Sequence, residues 1–294
     1  MRNLYSYLFV PATKARSFFE RLCRKESEII IPYAVIFDIE DSIYEFYKKE
    51  ARTLLSAIVD DYHHEFKDSF KWFVRINDCS TPYFAEDLDW LTRLKNQPFG
   101  IKLPKCRTLD DIKAVGGFHS AEHEVIPTIE TLEGYRNRES IMHHAHQVGI
   151  RNVGFGAGDM SLELGIERDY SLPVFQHVIC ELIVAAKSHG LNIIDSTSRI
   201  LPQENTDWET ALTREAIFSR ANGFSAKKSI HPAQIKIIES AFSRNDEKTA
   251  SARVLEDFDP QKPTRAVRSS ITGNYLGNPS IKQADKVLIE SQSK

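Results

Sequence analysis

Short runs of β-branched, aliphatic and aromatic residues alternate along the chain with longer stretches whose apolar residues recur at helical spacing. The strand-like runs fall at residues 5–10, 34–38, 71–76, 100–103, 124–129, 152–155, 191–194 and 225–230. Between the second and third, Ala51, Leu54, Leu55, Ile58, Val59 and Tyr62 follow i, i+3, i+4, i+7 spacing and share one helix face. A later helical stretch carries Val174, Phe175, Val178, Ile179, Leu182, Ile183 and Ala186 and stops at Gly190, the residue type that most often closes a helix. Another, with Trp208, Ala211, Leu212, Glu215 and Ala216, ends at Gly223.

Strands that alternate with helices pair in parallel, because parallel neighbours need a crossover. A closed barrel and an open doubly wound sheet both fit this order. The polar residues that end the strands separate the two. Strand two runs into Asp38-Ile39-Glu40-Asp41, strand three ends Arg75-Ile76-Asn77, and strand four gives Lys102-Leu103-Pro104-Lys105. Strand five ends Glu130-Thr131, strand six Gly156-Ala157-Gly158-Asp159, strand seven Asp195-Ser196 and strand eight Ile230-His231. A barrel gathers all these ends on one rim, where barrel enzymes hold their active sites; an open sheet would scatter them along an edge. The expected fold is therefore α/β, a (β/α)₈ TIM barrel over residues 1–242. A C-terminal extension over 243–294 has polar segments at 243–248 and 257–263 and a last helix starting near Ile281, and it is expected to pack on its own barrel or at a subunit interface.

Composition excludes more than it assigns. With 41% hydrophobic and 27% charged residues in 294, the chain has material for a large core, and its net charge of −3 gives no reason to expect nucleic acid as partner. No apolar run reaches the roughly 20 residues that span a bilayer. The segment before the first strand leaves no room for a signal peptide, and the four cysteines, Cys23, Cys79, Cys106 and Cys180, lack metal-ligand spacing, so the chain is expected in the cytoplasm with reduced thiols.

Two carboxylates about 4 Å apart repel by about 4 kcal/mol at an effective dielectric near 20. A rim that holds Glu130, Asp159 and Asp38 thus needs a proton, a cationic partner or a metal. Oxygen-only ligands favour Mg²⁺, which uses one or two carboxylates together with water and substrate oxygens. No histidine pair near these ends has zinc-ligand spacing, and His143, His144 and His146 form a solvated helix face.

The strand ends resemble those of the citrate lyase β-subunit-like family of the HpcH/HpaI aldolase superfamily, from Leu8-Phe9-Val10-Pro11 to about Gln234. The matching blocks, in order, include Phe37-Asp38-Ile39-Glu40-Asp41-Ser42, Val74-Arg75-Ile76-Asn77, Leu103-Pro104-Lys105 and Ile129-Glu130-Thr131. They continue through Gly156-Ala157-Gly158-Asp159, Asp195-Ser196 and the run from Gly223 to Gln234. The resemblance implies a Mg²⁺-dependent barrel, trimeric or hexameric, with Glu130 and Asp159 on the metal. It implies that Arg75 holds a substrate carboxylate or carbonyl oxygen, and that Asp38, Glu40 and Asp41 shape the site. It also implies that Lys14 and Arg16, in the loop after strand one, meet the phosphates of a coenzyme A thioester. Three positions depart from the family pattern: Ala12 stands for a glycine, Gly158 for an acid, and Gly277 for the aspartate of a Gly-x-x-x-Asp tail motif.

The expected chemistry is retro-aldol cleavage of an oxo- or hydroxy-acid, or its reverse, with the metal as Lewis acid and Arg75 on the developing enolate oxygen. Asp38 and a hydroxide on the metal are both candidate bases. Lys105 is a candidate for a phosphate or carboxylate, or for a salt bridge to Asp38 or Glu40, and His231 for a backbone hydrogen bond at the rim or for acid–base work. Alternatives are an acyl-CoA condensing enzyme or thioesterase, against which Gly277 argues, and a low-turnover subunit that binds an acyl-CoA or organic acid within a larger complex.

Overall fold

The computed structural model describes residues 5–24, 30–94, 97–204, 206–243, 251–252, 255, 267–268 and 275–292. Eight parallel strands close into one barrel in sequence order: β1 (Ser6–Pro11), β2 (Ala34–Asp38), β3 (Lys71–Arg75), β4 (Gly100–Leu103), β5 (Val125–Ile129), β6 (Asn152–Phe155), β7 (Asn192–Thr197) and β8 (Ala226–Ser229). Val10 pairs with Phe37 between β1 and β2, and Ser6 with Lys227 where β8 closes on β1. The expected (β/α)₈ barrel is thus present, with every strand within a few residues of its predicted place.

Among the described residues through Phe242, ten α-helices follow the strands: α1 (Ala15–Cys23), α2 (Lys48–Phe66), α3 (Pro82–Arg93), α4 (Leu109–Ala114), α5 (Leu132–Arg136), α6 (Arg138–Gln147), α7 (Ala157–Leu164), α8 (Pro173–Ser188), α9 (Trp208–Ala221) and α10 (Ala233–Phe242). On α2, Ala51, Leu55, Ile58 and Val59 are buried, as the spacing predicts, and on α8 Phe175, Val178, Ile179, Leu182 and Ala186 are. Most of the apolar core lies between helices and strands. Phe19 of α1, for instance, stacks on Trp72 of β3 and on Tyr62 of α2 at centroid distances of 5.1 and 4.7 Å.

Inside the barrel the residues are sorted by height. Tyr7, Ile36, Phe73, Ile126 and Ile194 form a dry interior cluster. Above it the interior turns polar, which positions the site. Lys102 of β4 is buried there and hydrogen-bonds to the Thr128 hydroxyl of β5. Gly154 of β6 leaves the space: a Cβ at that position would collide with the Lys102 side chain.

The chain divides into two compact units, Leu4–Phe242, which holds the barrel, and one that contains Ser243–Lys294. In the second, Tyr275 pairs with Arg268 in a two-stranded antiparallel ribbon, and a helix spans Asn278–Gln292. That helix begins earlier than Ile281 because proline is tolerated in a first turn, and the Gly277 carbonyl accepts from Ser280 and Ile281. The predicted polar stretches at 244–248 and 257–263, and Gly273, lie outside the described residues. Among the described residues no helix is long and apolar enough to cross a membrane.

Candidate functional site

At the C-terminal ends of the strands a cavity of about 480 Å³ opens. Asp38 and Asp41 from the end of β2, Arg75 from β3, Glu130 from β5 and Asp159 from α7 line it, together with Ser196, Arg168 and Lys228. Parity explains the convergence. Alternate strand residues face the barrel interior, so Arg75 stands two residues above Phe73 and Glu130 two above Thr128.

Arg75 organises one side. Its Nε and Nη2 donate to the two Asp38 oxygens at 2.7 Å each, and its Nη1 donates to Asp41 at 2.9 Å. Asp38 also accepts the backbone N–H of Glu40 and of Ser42, at 3.0 and 3.1 Å. Burial works to raise the Asp38 carboxyl, but Arg75 and these donors hold it below the usual carboxylate range. Arg75 also packs over the Phe9 ring, 4.9 Å from its centroid.

Lys105 adopts φ +45°, a left-handed conformation uncommon for a long side chain. The turn aims its backbone N–H at Glu130 Oε1, 2.8 Å away, and its Nζ at Glu40 Oε1, 2.5 Å away. Of the alternatives for Lys105, the salt bridge to Glu40 is therefore present. Burial still pushes the Glu40 carboxyl up to about 8, with Glu130 and Asp41 adding to the rise against the opposing charges of Arg75 and Lys105.

Glu130 and Asp159 differ from these. Glu130 is 5% exposed, and no side-chain cation pairs with either carboxylate among the described residues. Burial, and then the neighbouring Glu130 charge, raises the Asp159 carboxyl above its ordinary value. Gly156 makes room for the Glu130 side chain: a Cβ there would stand 2.5 Å from Glu130 Cβ and 2.8 Å from its Cδ. A buried and a half-buried carboxylate without a side-chain counter-charge suit a hard divalent ion that completes its shell with water and substrate oxygens. Among the described residues no group of three or more metal-ligating side chains occurs.

Several expected rim residues lie elsewhere. Asp195, read from the sequence as a rim carboxylate, is fully buried facing the helices, where it accepts from Lys227 at 2.6 Å, Ser219 of α9 at 2.6 Å and Tyr170 at 2.9 Å. Its neighbours Ser196 and Thr197 line the cavity instead. Asn77 turns to Asp87 of α3, 2.7 Å away, and Lys102 sits a layer below the rim. Lys14 and Arg16 occupy a short 3-10 turn and the first turn of α1 instead of an open loop, and Arg16 is paired with Asp61 at 2.7 Å. His231 Nδ1 accepts the backbone N–H of Ala233 at 3.2 Å, so the backbone hydrogen bond at the rim is present. The cavity cations Arg168 and Lys228 were not singled out from the sequence. Lys228 lies two residues beyond the inward-facing Ala226, but the run Ala226-Lys227-Lys228-Ser229 carries no alternation that would mark its inward side.

Residues 6–232 match the family model described as HpcH/HpaI aldolase/citrate lyase. The (3S)-malyl-CoA thioesterase of Cereibacter sphaeroides is 26% identical over 291 residues, covering 98% of this chain and 94% of its own. The mitochondrial citramalyl-CoA lyase of Rattus norvegicus is 24% identical over 297 residues, covering 96% of this chain and 84% of its own. Among solved structures, the citrate lyase beta subunit of M. tuberculosis complexed with oxaloacetate and magnesium is 25% identical with a TM-score of 0.62, covering 82% of this chain and 97% of that one.

Proposed function

Because the chain belongs to the HpcH/HpaI aldolase/citrate lyase family, we propose that it is a magnesium-dependent carbon–carbon lyase, with Glu130 and Asp159 holding the metal and a hydroxy acid or its coenzyme A thioester as substrate. The observation that carries this reading is the carboxylate pair itself. Glu130 is fixed by the Lys105 N–H and seated in the space that Gly156 leaves, and neither it nor Asp159 has a side-chain counter-ion among the described residues. The magnesium found with the M. tuberculosis citrate lyase beta subunit supports the choice of ion.

Bound there, the ion supplies Lewis-acid polarisation and a template for the substrate oxygens. The rest falls to the chain. A guanidinium has five N–H donors, and Arg75 uses three on Asp38 and Asp41. Nη1 also pairs with Glu40 Oε2 at 2.9 Å, which leaves an Nη2 N–H for an oxygen that gains charge as the carbon–carbon bond breaks, and such preorganised donors usually contribute the largest share of catalysis. Asp38, held below the usual carboxylate range by that same guanidinium, orients Arg75 and is a poor proton acceptor. With Arg16 engaged by Asp61, Lys14 is the cation suited to the phosphates of a thioester.

The Cereibacter sphaeroides relative, named a thioesterase, supplies a second reading: hydrolysis of the thioester in the same cavity. Gly277, where an acid is expected for that chemistry, favours cleavage of the carbon–carbon bond. The same family reading makes the protein a cytoplasmic homotrimer or hexamer with residues 243–294 at the subunit contact, which sedimentation of the full chain tests. The metal assignment is tested by titrating Mg²⁺ into the wild type and into Glu130→Ala and Asp159→Ala. Both variants are expected to lose metal binding and turnover together. Unchanged affinity in both overturns the assignment, and a wild type that binds metal and thioester without turnover overturns the lyase reading in favour of a binding subunit.

A further inference from the structure

Two lysines inside the barrel have no acid to hold them. Lys102 of β4 hydrogen-bonds to the Thr128 hydroxyl, and Lys228 of β8 donates to the Phe155 carbonyl at 2.7 Å. Neither forms an ion pair among the described residues, whereas the adjacent Lys227 holds Asp195 and Glu215. Both amines converge on β6, each from two strands away: Lys102 Nζ fills the space at Gly154, and Lys228 Nζ sits on the next carbonyl. Lys102 is 1% exposed and Lys228 4%, and of the two only Lys228 lines the cavity.

A lysine buried without a carboxylate is driven towards its neutral form. Burial pushes the Lys228 amine down to about 8, and Arg75 and Arg168 push the same way against the pull of Glu130 and Asp195. At pH 7 about one Lys228 in ten is then a free amine, against about one in three thousand for a lysine at its ordinary 10.5. Desolvation and neighbouring cations are the two conditions that turn a lysine into a nucleophile. Metal-assisted cleavage on Glu130 and Asp159 gives this amine no task.

We propose that Lys228 is a nucleophile whose free amine condenses, in the cavity, with the carbonyl of a short oxo acid to form an imine without any metal. The nitrogen lone pair attacks the carbonyl carbon, and one N–H proton moves to the oxygen. The second N–H proton then leaves with that oxygen as water while the carbon–nitrogen double bond forms. Protonated by solvent, the imine draws electrons from the neighbouring carbon, so the cavity activates an oxo acid through an amine as well as through an ion. The choice of an oxo acid rests on the lyase reading, in which carbon–carbon cleavage releases one here; the nucleophile itself does not.

The test incubates the full chain with pyruvate and sodium cyanoborohydride in EDTA, and follows each lysine by peptide mass mapping. A reduced pyruvyl adduct is expected on Lys228 at least about tenfold faster than on the exposed Lys49. Its rate should saturate with pyruvate, while that of Lys49 rises in proportion. Unfolding the chain in guanidinium should abolish the difference, and Lys228→Arg, which keeps a cation without a free amine, should leave only the background of exposed lysines. The wild-type map alone decides the matter if that variant fails to fold. No adduct on Lys228, or one that forms no faster than on Lys49, overturns the proposal. Because labelling is read in EDTA, failure of the lyase reading shows separately, as thioesters left intact with Mg²⁺ while Lys228 still labels.

Discussion

Replacing Gly156 with alanine adds one methyl group and removes no functional side chain. That methyl would stand 2.5 Å from Glu130 Cβ and 2.8 Å from Cδ. Optimal carbon–carbon contact is about 3.5 Å, so the Glu130 side chain must retreat by about 1 Å. It has little freedom to do so, because Oε1 holds the Lys105 N–H at 2.8 Å and Lys105 sits in a left-handed turn. A misplacement of about 1 Å in a catalytic constellation costs on the order of 100-fold in rate. Overpacking of this kind costs about 1–3 kcal/mol of stability, which a chain of this size survives. Gly156→Ala is therefore expected to remain folded by circular dichroism and thermal melting, to bind Mg²⁺ more weakly in calorimetry, and to lose about 100-fold in kcat/KM. A folded Gly156→Ala protein with wild-type Mg²⁺ affinity and turnover would refute the argument that Glu130 must occupy that space for the site to work.

Other expectations follow from the same geometry. Lys227 is fully buried between Asp195 and Glu215, at 2.6 and 2.9 Å, and removing one partner of a buried pair costs about 3–5 kcal/mol. Lys227→Met should therefore lower the denaturant midpoint sharply, and a midpoint unchanged within error would show that the pair contributes little. The Asp195 carboxyl is held below its ordinary value because Lys227 and its hydrogen bonds outweigh burial. Its stabilisation is accordingly complete above the unfolded-state value near 3.9 and lost as pH falls through the lower folded value. Asp195→Asn should thus flatten acid unfolding below about pH 4, measured by denaturant titration at stepped pH, and an unaltered pH slope would contradict the assignment. Lys14→Ala should raise KM for a coenzyme A thioester several-fold and leave kcat unchanged, and steady-state kinetics showing equal KM would remove Lys14 from the nucleotide site. Asp38→Asn leaves Arg75 without its bidentate partner and is expected to lower kcat more than KM, as measured on the same substrate.

Much of the barrel was legible because each strand is a short apolar run bounded by helical spacing, and parallel pairing leaves few ways to arrange eight of them. The rim was legible in outline from the polar residues that end those runs. What the sequence left ambiguous was facing. Asp195 and Ser196 are adjacent and polar, yet the pleat sends the first to the helices and the second to the cavity. The same parity separates Lys227 from Lys228, and in Ala226-Lys227-Lys228-Ser229 no alternation of apolar and polar residues marks the inward side. Arg168 follows α7 and reaches the cavity only through the path of that loop, which no local pattern encodes. The ribbon of Val267–Arg268 and Tyr275–Leu276 has strands too short to carry a period.

The central claim is carbon–carbon cleavage that depends on a metal held by Glu130 and Asp159. Incubating the full chain with malyl-, citramalyl- and citryl-CoA, with Mg²⁺ and then with EDTA, and quantifying oxo acid, acyl-CoA and free coenzyme A tests it most directly. The account predicts that at least one thioester yields oxo acid and acyl-CoA in equal amounts, only with Mg²⁺, and not in Glu130→Ala. Release of free coenzyme A without oxo acid, or cleavage undiminished by EDTA, would contradict it.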